Sequence, residues 1–378
     1  MSKIHIFERK IEQLQSVDWD FNDVQQSEIS MLHPYPAKFI ESIPRELIRC
    51  LPVKKDSLVL DPFCGSGTTM LEAKRAGFGS IGVDLNPIAC LISRVKLSNL
   101  NCGLTELAES IVESAQKKAI EVSIPEIPNL DHWFKKDIQE AITKIVNEIN
   151  SIKDESIRDG LMFSLSCIIV RVSNQESDTR YAAIDKKATA KDVYTGFVNS
   201  CKRLEAAKQS ENASNTKGHV ICSDILGVSP DDIDGKVGMV ITSPPYPNAY
   251  EYWLYHKYRM WWLGYDPISV REKEIGARPH YQKKNGETEI DFKNQMERVF
   301  DLVDNVLLKD GYFSIVIGRS IIKGREINNA AMMEELAGKH GYSIAADIER
   351  TIAPTRKSFN LKYGKINTEH ILVLRKGF

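Results

Sequence analysis

Nothing in the chain pairs cysteines for a metal site or a disulfide frame. The seven cysteines (Cys50, Cys64, Cys90, Cys102, Cys167, Cys201 and Cys222) are scattered through 378 residues, odd in number and without a CxxC pair. That usage fits free thiols in a reducing compartment, and no metal site is expected. Long apolar runs are missing too: the most apolar stretch, Leu161 to Val170, is too short to cross a bilayer. The opening MSKIHIFERKIEQLQ lacks the apolar core of a signal peptide, so a cytoplasmic location is expected. Charge of one sign is also absent. With 50 Lys and Arg against 51 Asp and Glu, the formal net charge is -1. No global field therefore steers the chain to a polyanion or a membrane, and any anionic partner must meet a local patch. The positive excess lies wholly in residues 311–378, which hold 11 Lys and Arg against 6 Asp and Glu. Internal repeats and low-complexity tracts are absent as well.

What is present is an alternation of apolar strands and amphipathic helices, in a chain long enough for one large or two modest domains. Residues 1–30 read as a polar surface arm with a short helix at most. His33-Pro34-Tyr35-Pro36-Ala37-Lys38-Phe39 is an extended passage into a helix over Phe39 to Leu51, where Ile40, Ile43, Leu47, Ile48 and Leu51 recur at helical spacing. Ser57 to Asp61 is the first strand. It empties into Pro62-Phe63-Cys64-Gly65-Ser66-Gly67-Thr68-Thr69, whose glycines permit a sharp bend and close approach to a ligand. A helix follows, then a second strand, Gly79 to Asp84, ending in a carboxylate about 20 residues past the glycines. Strand, glycine loop, helix, strand and acid form the layout of a doubly wound nucleoside-binding sheet, with Asp84 placed to accept from ribose hydroxyls.

From Cys102 to Lys217 the pattern changes to helices, over Leu104 to Val122, Asp137 to Ile152, Ile157 to Val172 and Val193 to Ala207. This reads as a helical insertion. Its polar stretch Ser173 to Tyr181 is either a face for nucleic acid or a solvated loop. The sheet resumes at His219 to Asp224 and Val237 to Thr242. Tyr250 to Leu263 carries three of the five tryptophans, as core packing for the most part. Tyr265 to Glu289 reads as a long polar loop with Arg278, Lys283 and Lys284. Tyr312 to Ile317, Ser343 to Thr351 and His370 to Leu374 are the last strands, separated by a helix over Asn328 to Lys339. The final two lack a helix between them and are expected to be antiparallel neighbours.

The strand at Val237 ends abruptly in Ser243-Pro244-Pro245-Tyr246, because two prolines cannot donate to a ladder. The turn fixes the Ser243 hydroxyl, the Pro244 carbonyl and the Tyr246 ring relative to one another. By itself it is either an ordinary strand end or a prepared site. A strand ending Asp-Pro-Phe-x-Gly-Ser-Gly-Thr, a later one ending Thr-Ser-Pro-Pro-Tyr and a closing antiparallel hairpin together resemble the DNA amino-methyltransferases, over residues 31–100 and 218–378.

The resemblance implies an α/β fold: a doubly wound, seven-stranded, Rossmann-like methyltransferase sheet with an antiparallel last strand, plus the helical insertion. Residues 1–100 would be an arm and the cofactor-binding half, 101–217 the insertion and 218–378 the catalytic half. Target recognition would fall to the insertion or to the 265–289 loop. The implied cofactor is S-adenosylmethionine, held by Asp61, Pro62, Phe63, Gly65, Ser66, Gly67, Thr68, Asp84 and Asp224, with Lys38 in a short flanking motif. Ser243, Pro244, Pro245 and Tyr246 would bind the target amine. Serine before Pro-Pro-Tyr implies cytosine N4 methylation, where Asp or Asn implies adenine N6. The partner would be DNA with the target base flipped out, gripped through Arg356, Lys357, Lys362, Arg278, Lys283 and Lys284. The setting would be restriction and modification, alongside an endonuclease that cuts the same site. The alternatives are adenine N6 or RNA methylation, and a non-catalytic module that binds cofactor or DNA. A C5-cytosine enzyme needs a Pro-Cys nucleophile, whereas Cys64 lies in the cofactor loop. A dehydrogenase leaves Ser-Pro-Pro-Tyr unexplained.

Overall fold

The computed structural model describes residues 11–22, 24–100, 103–117, 123–211, 216–248, 250–352 and 368–377. They form strands β1 (Leu58–Asp61), β2 (Ser80–Asp84), β3 (Gln175–Ser177), β4 (Arg180–Ala183), β5 (Gly218–Cys222), β6 (Val237–Thr242), β7 (Leu307–Gly318), β8 (Ser320–Ile322), β9 (Arg325–Ile327), β10 (Tyr342–Thr351) and β11 (Thr368–Lys376). One sheet has the order β10-β11-β7-β6-β1-β2-β5. From β7 to β5 all neighbours are parallel. β11 lies between β7 and β10, antiparallel to both. This is the seven-stranded, Rossmann-like methyltransferase sheet with an antiparallel last strand that the sequence leads one to expect.

The inner parallel strands β1, β2 and β6 are covered on both faces, which is why they read as continuous apolar runs. Successive residues then serve opposite cores. Val59, Met239 and Ile241 pack with Ile43 and Leu47 of helix Ser42–Cys50. Leu60 and Val240 pack on the other face with Phe292, Phe300 and Val303 of helix Glu289–Val306. The chain leaves β1 for β2 and β5, then returns to β6 on the other side of β1. Strand order reverses between β1 and β6, and such a reversal opens a crevice beyond the strands' carboxyl ends.

Helices Leu104–Lys117, Lys136–Asn150, Glu155–Val172 and Ala190–Ser210 make up the expected insertion. Their apolar faces share one core with Ile88, Leu91, Ile92 and Val95 of helix Pro87–Leu97 and with Tyr258, Met260 and Trp262 of helix Tyr252–Trp262. Arg259, 1% exposed, ties the two parts together. Its Nε donates to the Ser166 carbonyl at 2.9 Å and its Nη2 to Asp178 Oδ1.

Several sequence readings are corrected. Leu14 and Trp19 are buried in the core beneath helix Ser42–Cys50, so residues 11–22 are packed onto the sheet rather than forming a surface arm. Tyr265 to Glu289 is not one long loop: it contains the short helices Pro267–Lys273 and Arg278–Gln282. Each has a proline in its first turn, where the missing N–H costs nothing. Ser173 to Tyr181 is not a plain loop: it holds β3 and the start of β4, a hairpin that runs to Ala183. Helix Glu289–Val306, which the sequence reading passed over, opens with a capping box between Thr288 and Asp291. The third strand of the sheet stops at Cys222, two residues short of Asp224.

Candidate functional site

The crevice is shaped first by the loop after β1. Asp61 Oδ1 accepts from the Phe63 N–H at 3.1 Å and from the Thr242 hydroxyl at 2.7 Å. Thr242 is the last residue of β6, so this buried carboxylate couples the ends of the two strands that flank the reversal. Gly65 has φ +49° and Gly67 φ +75°. The Gly65 N–H donates to Asp84 Oδ2 at 2.8 Å, while Asp84 Oδ1 accepts from Asn86 N at 2.8 Å. Each oxygen keeps a lone pair for a further donor. At Gly67 a Cβ would stand 2.6 Å from Ser93 Oγ, and that hydroxyl is already bound to the Gly65 carbonyl at 2.8 Å. The loop is thus pressed against helix Pro87–Leu97, with no space for a side chain.

The second wall is the turn after β6. Tyr246 donates its phenol hydrogen to Glu369 Oε1 at 3.0 Å, and Glu369 Oε2 accepts from Arg350 Nη1 at 2.6 Å. Two segments brace the turn from outside. Asn248 N donates to the Gly276 carbonyl at 2.9 Å, and Asn248 Nδ2 to the Ile321 carbonyl at 2.7 Å.

Both walls open on one cavity of about 740 Å³. Asp61, Pro62, Phe63, Gly65, Ser66, Thr68, Asp84 and Asp224 line it, as do Ser243, Pro244, Pro245, Tyr246, Lys38 and Arg278. Gly67, turned toward Ser93, does not line it. Lys38 donates its Nζ to the carbonyls of Ser30 at 2.5 Å and His33 at 2.7 Å, and burial pushes its pKa down to about 8. Lys283 and Lys284 are exposed and do not line the cavity. Arg356, Lys357 and Lys362 lie outside the described residues.

Sequence reasoning missed four contributors. Tyr35 stacks on Tyr252 with ring centroids 5.7 Å apart, and both rings line the cavity. Tyr35 sits in the His-Pro-Tyr-Pro passage, so a signal was there. Glu274 receives the N–H groups of Tyr252 at 2.7 Å and Trp253 at 2.8 Å, capping helix Tyr252–Trp262 from a distant loop. Glu369 is carried by the antiparallel strand. Neither acid has a local sequence signal.

Three acids in the cavity wall are buried against the preference of a charge for water. Burial pushes Asp61 and Asp84 up to about 6, against the pull of their hydrogen bonds, and Glu274 up to about 8. Among the described residues no group of three or more His, Cys, Asp or Glu could hold a metal ion.

The N6/N4 DNA methylase family model matches residues 4–94. Type II methyltransferase M.MvaI of Kocuria varians is 26% identical over 239 residues, covering 57% of this chain and 53% of that protein. Type II methyltransferase M.BsoBI of Geobacillus stearothermophilus is 22% identical over 327 residues, 78% of this chain and 62% of that protein. M.MjaII of Methanocaldococcus jannaschii, also a Type II methyltransferase, is 36% identical over 87 residues, 21% of this chain and 16% of its own.

Over residues 4–94, then, the chain is similar to the N6/N4 DNA methylases.

It spans less than two thirds of the length of each of these curated relatives. The cofactor of an N6/N4 DNA methylase is S-adenosylmethionine, and the residues present fit it. That molecule carries a sulfonium, an ammonium and ribose hydroxyls. The wall offers the complements: Asp61, Asp84 and Glu274 are short of positive neighbours, and the Asp84 oxygens have acceptor capacity left. A cationic ligand would stabilise their charged forms.

Proposed function

We propose that the chain methylates an exocyclic amine of a DNA base, that the base is cytosine, and that the product is N4-methylcytosine. One observation carries the reading: the Ser243-Pro244-Pro245-Tyr246 turn and the Asp61 to Thr68 loop line a single cavity and are joined by the Thr242–Asp61 hydrogen bond. S-adenosylmethionine supplies the methyl group. The work of the chain is to make a poor nucleophile attack, since the lone pair of a cytosine amine is delocalised into the ring. The Ser243 hydroxyl and the Pro244 carbonyl each accept one N–H, drawing the nitrogen toward tetrahedral geometry and aiming its lone pair. The same acceptors stabilise the positive charge that develops there. Tyr246 offers a ring face to the base. Ser243, where a carboxylate or an amide would favour adenine, directs the choice to cytosine.

A paired amine is not free to accept a methyl group, so the base must leave the duplex. Arg278, Lys283, Lys284, Arg356, Lys357 and Lys362 would hold the backbone. The helices of residues 104–210, or the 265–289 segment, would read the target. The setting would be protection of host DNA in the cytoplasm, beside an endonuclease that cuts the same sequence; the relatives' names, Type II methyltransferases, are in keeping with DNA modification.

The test uses the full chain, S-adenosylmethionine with a labelled methyl group, and duplex DNA digested to nucleosides after reaction. Label is expected on N4-methyldeoxycytidine, and a Ser243→Ala protein is expected to lose about 100-fold or more in rate. Label on N6-methyldeoxyadenosine would overturn the choice of base. Cofactor binding without transfer to any polynucleotide would point to a non-catalytic module.

A further inference from the structure

β8 and β9 pair as Ser320 with Ile327, Ile321 with Glu326 and Ile322 with Arg325, which leaves Lys323-Gly324 as the turn between them. Both turn residues have positive φ, +48° at Lys323 and +81° at Gly324. That is the pattern of a type I′ turn, where Asn-Gly sits without strain and a lysine in the first position does not. A strained backbone of this kind is tolerated where its surroundings hold it, and it gathers at sites that bind or react.

The hairpin is held at its root, its face and its flank. Asn329, fully buried, donates its Nδ2 to the Gly318 carbonyl at 2.8 Å and to Ser320 Oγ at 2.7 Å, which clamps the root. Ile322 and Ile327 are buried against Tyr281 of helix Arg278–Gln282. On the flank Asn248, two residues past Tyr246, donates its Nδ2 to the Ile321 carbonyl at 2.7 Å. Lys323 and Gly324 at the tip are exposed, and both line the cavity.

Charge is sorted by depth in this cavity. Asp61 and Glu274 are buried in its wall, whereas Lys323 and Lys273 are exposed and therefore stand at its mouth. Among the described residues, Arg319 pairs with Glu326 and Arg325 with Glu289, whereas Lys323 has no ion-pair partner. Asp291, whose carboxyl feels the lysine's charge, is taken up by the N–H and hydroxyl of Thr288. A nucleotide drawn out of a duplex brings two chemistries to such a cavity. The neutral base goes in, and the anionic phosphates that flank it stay at the mouth, where a cation neutralises one of them.

We propose that hairpin β8–β9 is a DNA-contacting element whose tip, Lys323, takes the phosphate beside the extruded nucleotide. The inference rests on the amine-methylation reading. Because Asn248 ties the hairpin to the Ser243 to Tyr246 turn, the grip on the backbone and the amine site form one rigid unit.

The strain supplies a variant that separates contact from folding. Lys323→Asn removes the cation and puts the favoured Asn-Gly pair in the turn, so the full-length protein is expected to melt no lower than wild type. The substrate is sheared DNA from a methylation-free host, which contains the target whatever its sequence. At about 0.1 M salt, kcat/KM for this DNA is expected to fall about 5-fold or more, and the decline of log(kcat/KM) with log salt to be shallower by about 0.9, the share of one phosphate contact. Kd for S-adenosylmethionine is expected within about 2-fold of wild type. Lys323→Arg keeps the charge and is expected to keep the wild-type rate and salt slope.

A Lys323→Asn protein with wild-type kcat/KM and salt slope would overturn the proposal, as would a loss that Lys323→Arg does not restore. Weakened binding of S-adenosylmethionine by Lys323→Asn would overturn it too, because the cation would then serve the carboxylate of the cofactor. If folded wild-type protein binds cofactor and methylates nothing, the proposed function fails. The salt slope for binding the same DNA then decides the hairpin contact alone: shallower by about 0.9 in Lys323→Asn supports it, and unchanged overturns it.

Discussion

Asp61 and Asp84 show at the scale of single residues how the site is tuned. Both are held by hydrogen bonds that favour the anion, yet burial wins and pushes each up to about 6. Glu274 goes further, to about 8. Unfolded carboxyls titrate near about 4, so the folded chain binds these protons more tightly. The stability they contribute is complete below about pH 4 and is lost as pH rises through 6 and then 8. A cationic ligand acts in the opposite sense, favouring the charged forms. The thermal shift given by S-adenosylmethionine is expected to be larger at about pH 8 than at about pH 5. Melting curves with and without ligand at both pH values check this, and a shift that shrinks as pH rises contradicts it. The two aspartates are legible in the sequence because each closes a strand beside a glycine loop or a helix start. Glu274 and Glu369 are not. Each acts on a partner 21 to 123 residues away in the chain, and such contacts exist only once the sheet has formed.

Among the elements, the glycine loop is the most constrained. Gly67 combines a left-handed φ of +75° with a Cβ position 2.6 Å from Ser93 Oγ and 3.0 Å from its Cα. Gly67→Ala is expected to cost on the order of 1–3 kcal/mol and to weaken cofactor binding, since Ser93 can yield only by releasing the Gly65 carbonyl. Thermal melting and a binding titration measure both effects, and a neutral substitution would show that the loop is not clamped. The inner strands β1, β2 and β6 are legible because strands covered on both faces must be apolar throughout. Hairpins β3–β4 and β8–β9 were not, because three- and four-residue strands carry too little pattern. Helix Glu289–Val306 does have its signal, Phe292, Met296, Val299, Phe300 and Val303 at helical spacing. The polar run before it, itself two short helices started by proline, obscured where it begins.

Across the whole molecule, the helices of residues 104–210 were legible as an interruption of the α/β pattern, but their bond to the rest was not. They bury the outer face of helix Pro87–Leu97 and receive the guanidinium of Arg259. Replacing residues 104–210 by a short linker is expected to yield no cooperatively melting protein. Ile88, Leu91, Ile92 and Val95 would meet water, and Arg259 would lose the Ser166 carbonyl and Asp178. A sharp thermal transition from such a deletion would show that the sheet folds without them. Helix Tyr252–Trp262 lies between the two: Tyr252 lines the cavity, while Met260 and Trp262 pack in the core shared with these helices.

The central claim is that the turn after β6 presents an amine to a methyl donor held by the loop after β1. It is tested most directly by expressing the full chain in a host free of DNA methylation and sequencing the genome for modified bases with their flanking context. N4-methylcytosine is expected within one short recurrent sequence, and none when Ser243→Ala is expressed at the same level. An unmodified genome in cells containing folded, cofactor-binding protein would contradict it.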